Sequence, residues 1–129
     1  MWPFGKKKNS DEIDRKRRDA FGLLAIVSSR CIGPDRLPVM HAIRERPKNV
    51  SDSGWVLSSG KESQEFSADS SNFKLVPLEM MIETDTTLAP LRDFPEGTEL
   101  TRLQPVEPWR FIVDDCVVDA DGRDVGGLR

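Results

Sequence analysis

Leu23-Leu24-Ala25-Ile26-Val27-Ser28-Ser29-Arg30-Cys31-Ile32, followed at once by Gly33-Pro34-Asp35, is an apolar and β-branched run closed by a turn signal. That pattern is a buried strand ending in a turn, and its apolarity marks it as the centre of a sheet. The run is too short to cross a membrane, which takes about 20 apolar residues. Weaker strands follow. Val39, His41 and Ile43 alternate with Met40, Ala42 and Arg44 up to Pro47, and Lys48 to Ser53 is a polar loop. Trp55 to Leu57 supplies a short apolar strand, while Thr98 to Leu103 and Trp109 to Val113 form two more that pair with each other.

Helical signals lie between these strands. Glu62 to Asp69 gives a helical turn with Phe66 inward. Leu78, Met81 and Ile82 fall at i, i+3 and i+4 behind Pro77, predicting a helix from Pro77 to Thr84. Leu88 and Leu91 give a further turn interrupted by Pro90. The fold class is therefore α+β, a small mainly antiparallel sheet with one or two short helices on one face.

With 129 residues, 37% of them hydrophobic, the chain makes one domain whose core needs no disulfide or metal staple. Residues 20–115 form that domain. Residues 1–19 are a flexible basic head with a short helix from Ser10 or Asp11 to Arg18, and 116–129 are a tail or terminal hairpin turning at Asp121-Gly122. Cys31 and Cys116 read as reduced thiols in a cytoplasmic protein, and the basic, acid-interrupted head is no secretion signal.

Charge is unevenly spread. The formal net value is −3, but residues 1–18 carry seven Lys or Arg against three acids. Residues 62–99 reverse this, with nine acids against Lys74 and Arg92. Such density repels nucleic acid and steers a basic partner, leaving only residues 1–18 suited to phosphate or an anionic membrane.

Familiar catalytic signatures are missing. There is no glycine-rich phosphate loop, paired zinc-ligand spacing, nucleophile elbow or dinucleotide fingerprint, so no cofactor and no metal is expected. Cys31 with His41 offers a thiol and base only if the fold brings them together, and His41 alone makes neither a zinc site nor a triad. Glu62 and Glu65, three apart, read as helix surface before paired carboxylates. Asp119 to Asp124 has the look of a calcium loop without its twelfth-position Glu.

What stands out is a constellation: Asp52-Ser53-Gly54-Trp55, then Ser59-Gly60-Lys61-Glu62-Ser63-Gln64-Glu65-Phe66 with Asp69 and Asn72, then Leu91-Arg92-Asp93-Phe94-Pro95-Glu96-Gly97-Thr98. From about Ala25 to Asp114 this resembles a bacterial domain family of predicted immunity proteins, type thirty-three, of polymorphic toxin systems. Leu57 departs from the aromatic usual there, and Phe66 keeps one. The resemblance implies a non-enzymatic binder that neutralises a cognate protein toxin. A nuclease toxin with a basic cleft suits an acidic surface drawn from Asp52, Glu62, Glu65, Asp69, Glu83 and Asp85, with Trp55 either an anchor or, more in keeping with a short strand, core packed beside Gly54. The alternative is a scaffold domain binding a membrane surface or nucleic acid through its basic head, helped by Trp2 and Phe4.

Overall fold

In the computed structural model the described residues are 22–114 and 116–119, with 12, 13, 15 and 16 of the head. The rest of the expected head helix and the Asp121-Gly122 turn lie outside them. Seven strands form one sheet: β1 (Leu24–Ser28), β2 (His41–Arg44), β3 (Asp52–Ser58), β4 (Phe73–Pro77), β5 (Glu99–Thr101), β6 (Arg110–Val113) and β7 (Cys116–Val118). Their order is β4-β1-β3-β2-β5-β6-β7. Only β1 and β3 run parallel; every other neighbouring pair is antiparallel. Besides the helical residues 12, 13, 15 and 16 of the head, the described residues hold two short helices, α1 (Gln64–Ala68) and α2 (Leu78–Thr84), which complete the α+β fold together with 3-10 turns at Ser29–Cys31, Ser70–Asn72 and Thr86–Arg92.

One face of the sheet is closed. The period of two sends Ala25, Val27, Ala42, Trp55, Leu57 and Leu100 to the same side, where Leu78, Met81 and Ile82 of α2 and Leu88 and Leu91 of the following 3-10 turn pack over them. The helix forms there because its three apolar residues share one side at helical spacing. Asp85 stops it and caps the next turn, accepting the Thr87 amide at 3.0 Å.

The other face is mostly open. Ile26 pairs with both Val56 and Leu75, and Val56 pairs with Ile43, so these four make an apolar strip on the side away from the core. Leu75 is 61% exposed. The cover on this side is α1, which reaches the strip's end through Phe66, edge-to-face against Phe73 with centroids 6.1 Å apart.

Two sequence expectations change. β1 is not the centre of the sheet; β2 is, and β1 lies one strand in from the edge because β4 pairs along its outer side. β4 gives little sequence signal: Phe73-Lys74-Leu75-Val76-Pro77 is short, ends in Pro and runs directly into α2. β3 starts at Asp52, where the sequence predicts a loop, since a shift in its pairing with β1 lets Asp52 and Ser53 join the strand.

Gly54 carries that irregularity. Its φ is +87°, and an added Cβ would lie 2.1 Å from the Glu45 carbonyl oxygen. Gly97 has φ +88° with open space around its Cβ position. Both substitutions incur left-handed backbone strain, but only one also collides with backbone. Gly97→Ala is expected to lose about 1 kcal/mol in urea unfolding and Gly54→Ala about 3 kcal/mol or more. Equal losses would show that the close approach of Glu45 does not matter.

Candidate functional site

Two of the three motifs of the constellation, Asp52-Ser53-Gly54-Trp55 and the one from Leu91 to Thr98, meet at one residue that neither contains, Arg44. Its Nε–H donates to the Ser53 carbonyl at 3.0 Å and Nη1 donates to the Phe94 carbonyl. Its backbone N–H donates to Thr98 and its carbonyl accepts from Gly97, 2.8 and 2.7 Å respectively. The next residue, Glu45, donates its N–H to the Gly54 carbonyl at 2.7 Å. Ser53-Gly54-Trp55 and Phe94-Pro95-Glu96-Gly97-Thr98 are thus two clamps on the end of β2.

Arg44 is half-buried, with its guanidinium carbon 5.8 Å from the centre of the Trp55 ring. Two of its five donors have protein partners, and none is a carboxylate. Beside it lies a cavity of about 230 Å³. Leu23, Leu78 and Leu91 give apolar walls, and Arg44, Ser53 and Trp55 line the sheet side. Glu79 and Arg92 complete the lining from α2 and the 3-10 turn, joined by a two-oxygen ion pair in which both side chains are about half-exposed. Trp55, which the sequence offers as an anchor or as core, is core: it is 1% exposed, and its Nε1–H has no acceptor among the described residues. It lies in β3 on the closed face.

The acidic residues do not gather into one patch. Asp52 accepts the Lys48 and Gly54 amides, both at 2.8 Å, and shapes the start of β3. Glu62 folds back on the Ser59 amide at 2.9 Å and does not form a pair with Glu65, which is exposed on α1. Asp69 caps Ser70–Asn72. Glu83 is exposed on α2, and Asp85 faces Arg102 across 3.3 Å. Glu65 and Asp69 belong with α1 on the open side; Glu83 and Asp85 belong with α2 on the closed side. The period of two in the strands separates them.

Burial raises the Glu62 pKa, but hydrogen bonding from the Ser28 hydroxyl and from the Ser59 amide and hydroxyl outweighs it, leaving the group below its usual range. Asp69 is lowered by the Ser71 hydroxyl and amide. Cys31 moves the other way: burial and then the nearby Glu62 charge push its thiol up to about 12, so it is no nucleophile at neutral pH. Nor does it meet His41. Cys31 packs in the core, whereas His41 alternates with buried Ala42 and turns to the open face, its Nε2 2.8 Å from Glu99. Both cysteines are free, Cys31 buried and Cys116 exposed.

Sequence reading missed a second arginine. Arg102 is 2% exposed and places all five donors: on Val39 twice, on Thr87, on Pro105 and on Asp85. Its guanidinium carbon is 4.2 Å from the Trp109 ring centre. Burial lowers its pKa and Asp85 offsets part of this. A signal existed for both arginines: period two places Arg44 on the side of Ala42 and Arg102 on the side of Leu100. The open-face groove was also unforeseen, because it needs β4. It has a volume of about 430 Å³ between Ile26, Val56, Phe73 and Leu75 and the α1 residues Ser67 and Ala68.

Among the described residues no group of three or more potential metal ligands gathers, and no helix is long and apolar enough to cross a membrane. The class is thus a mixed α+β domain built on one sheet, closed on one face and largely open on the other. The chain belongs to the immunity protein Imm33 domain family, whose model matches residues 26–113, from inside β1 to the end of β6. Comparison with curated proteins and with solved structures found no match.

Two stability measurements follow from these geometries. Arg102→Leu strands Asp85 and the Val39 carbonyl, and is expected to lose about 3 kcal/mol in chemical denaturation; a loss under about 1 kcal/mol would contradict the five-donor role. Since the folded pKa of Glu62 is depressed, its contribution is present above the ordinary value of 4.5 and disappears as pH falls through the lower folded value. The stability gap between wild type and Glu62→Gln is therefore expected to narrow on acidification from pH 6, and a constant gap would refute the assignment.

Proposed function

We propose that this chain neutralises a cognate protein toxin in the cytoplasm by binding it, without catalysis of its own. The observation that carries this is the family match, which takes in β2 to β6 in full. We assign the contact to the open face of the sheet, where an apolar groove and acidic side chains without a cationic partner among the described residues adjoin. Leu75, with Ile26 and Val56 beside it, supplies apolar surface that a partner can desolvate. Glu65 and Asp69, on and just after α1, supply negative charge at its margin.

The division of labour is physical. A desolvated apolar centre slows dissociation, whereas charge at the rim raises the association rate. A toxin with a basic cleft, such as a nuclease, has the complementary charge. On the closed face Glu83 contributes only to the long-range field in this arrangement, and the charge of Asp85 is offset by Arg102.

Co-expression with the toxin encoded by the neighbouring open reading frame tests the reading. The wild-type chain is expected to restore growth, and Leu75→Asp to abolish rescue while stability stays within about 0.5 kcal/mol, as for an ordinary surface change. The double variant Glu65→Lys with Asp69→Asn, the Asn keeping the cap, is expected to slow association about tenfold at low salt with little change in dissociation. Failure of the wild type to rescue would overturn the function; rescue by Leu75→Asp would overturn the assigned face.

A further inference from the structure

We propose that the cavity between Arg44 and Trp55 is a binding site for a carboxylate on a short apolar body. The site is separate from the open face and does not depend on the toxin-binding reading. Three observations carry it.

The first is a set of unused donors on Arg44. Arg44 is fixed in place by Ser53 and Phe94, which use its Nε and Nη1, yet three of its donors remain and no carboxylate among the described residues pairs with it. Arg102 shows what this chain does when an arginine is purely structural: every donor is placed and an aspartate lies alongside. The Trp55 ring forms part of the same cavity's wall, with the Arg44 guanidinium carbon 5.8 Å from its centre, so a guest held by Arg44 lies beside the indole.

The second is charge. The cavity's lining holds two arginines and one carboxylate, and Glu79 already engages Arg92 through both oxygens. The lining is thus net positive, an arrangement that favours an anion. Guanidinium presents parallel N–H groups that match a carboxylate better than a single-point acceptor.

The third is shape. About 230 Å³ is far more than the roughly 10–15 Å³ a single water requires. Leu23, Leu78 and Leu91 offer such a guest apolar contact but nothing to satisfy further polar atoms. The fit is a carboxyl head with a few carbons behind it. Either a free short-chain carboxylic acid or an acidic side chain of a protein provides that chemistry.

The experiment is a titration of the intact, uniformly labelled chain followed by the Trp55 indole N–H resonance, assigned by its loss in Trp55→Phe. Isobutyrate is expected to shift this resonance saturably with a dissociation constant on the order of 1 mM, a reasonable affinity for so few atoms. Isobutyramide, equal in shape but uncharged, is expected to bind at least about tenfold more weakly. Arg44→Gln is expected to abolish the shift. Because Arg44 also joins β2 to its neighbours, Arg92→Gln serves as the variant that leaves those bonds intact, and it is expected to weaken isobutyrate several-fold. N-acetylglutamate methylamide separates the sources: a matching shift assigns the site to an acidic side chain, and a shift with isobutyrate alone assigns it to a free acid. No shift with either carboxylate, or equal shifts with acid and amide, would overturn the proposal.

Discussion

The end of β2 is where this fold is tied together. Arg44 bonds outward through its backbone to the Gly97–Thr98 turn, and its side chain reaches the Ser53 carbonyl on the neighbouring strand and the Phe94 carbonyl beyond α2. Gly54 lets the Glu45 backbone approach to a distance that no side-chain-bearing residue allows. Sequence segments some fifty positions apart are thereby fixed around one guanidinium. Two of the chain's distinctive motifs, Asp52-Ser53-Gly54-Trp55 and the one from Leu91 to Thr98, are explained as the parts of this clamp.

That clamp also separates two surfaces. Packing of α2 and the Thr86–Arg92 turn closes one face and leaves a small polar-ended cavity under Arg44, while the other face has α1 only at one end. The split follows from the chain's order. After β3 it crosses by α1 to β4 at the edge, and α2 then carries it back across the opposite side towards β5. Leu75 is left uncovered because it alternates with Val76, which packs against the core.

Much of this was legible. The apolar run at Leu24–Ser28, the i, i+3, i+4 spacing of Leu78, Met81 and Ile82, and the pairing of the last long strands all follow from periodicity. What was not legible depends on partners distant in sequence. β4 lacks a flanking turn signal because the 3-10 turn before it and α2 after it join without a gap. The Trp55 side chain reads as either core or anchor until Leu78 and Leu91 are placed beside it. Arg44 and Arg102 look like solvent-facing charges unless the alternation along their strands is followed to its consequence, an arginine directed inward.

The same reasoning revises the meaning of the acidic window. Asp52, Glu62, Asp69 and Asp85 each accept backbone amides at a turn or helix start, so local chain geometry is enough to account for their presence. Capping differs from ion pairing in one respect that matters for recognition. An amide dipole leaves the carboxylate's net charge in place, whereas Arg92 on Glu79 and Arg102 on Asp85 cancel it. The charge of capped Asp52, Glu62 and Asp69 and of Glu65 and Glu83 therefore survives at long range. A residue recruited for folding can in this way still contribute to the field around the molecule, and of these five Glu65 and Asp69 lie with α1 on the side of the uncovered leucine.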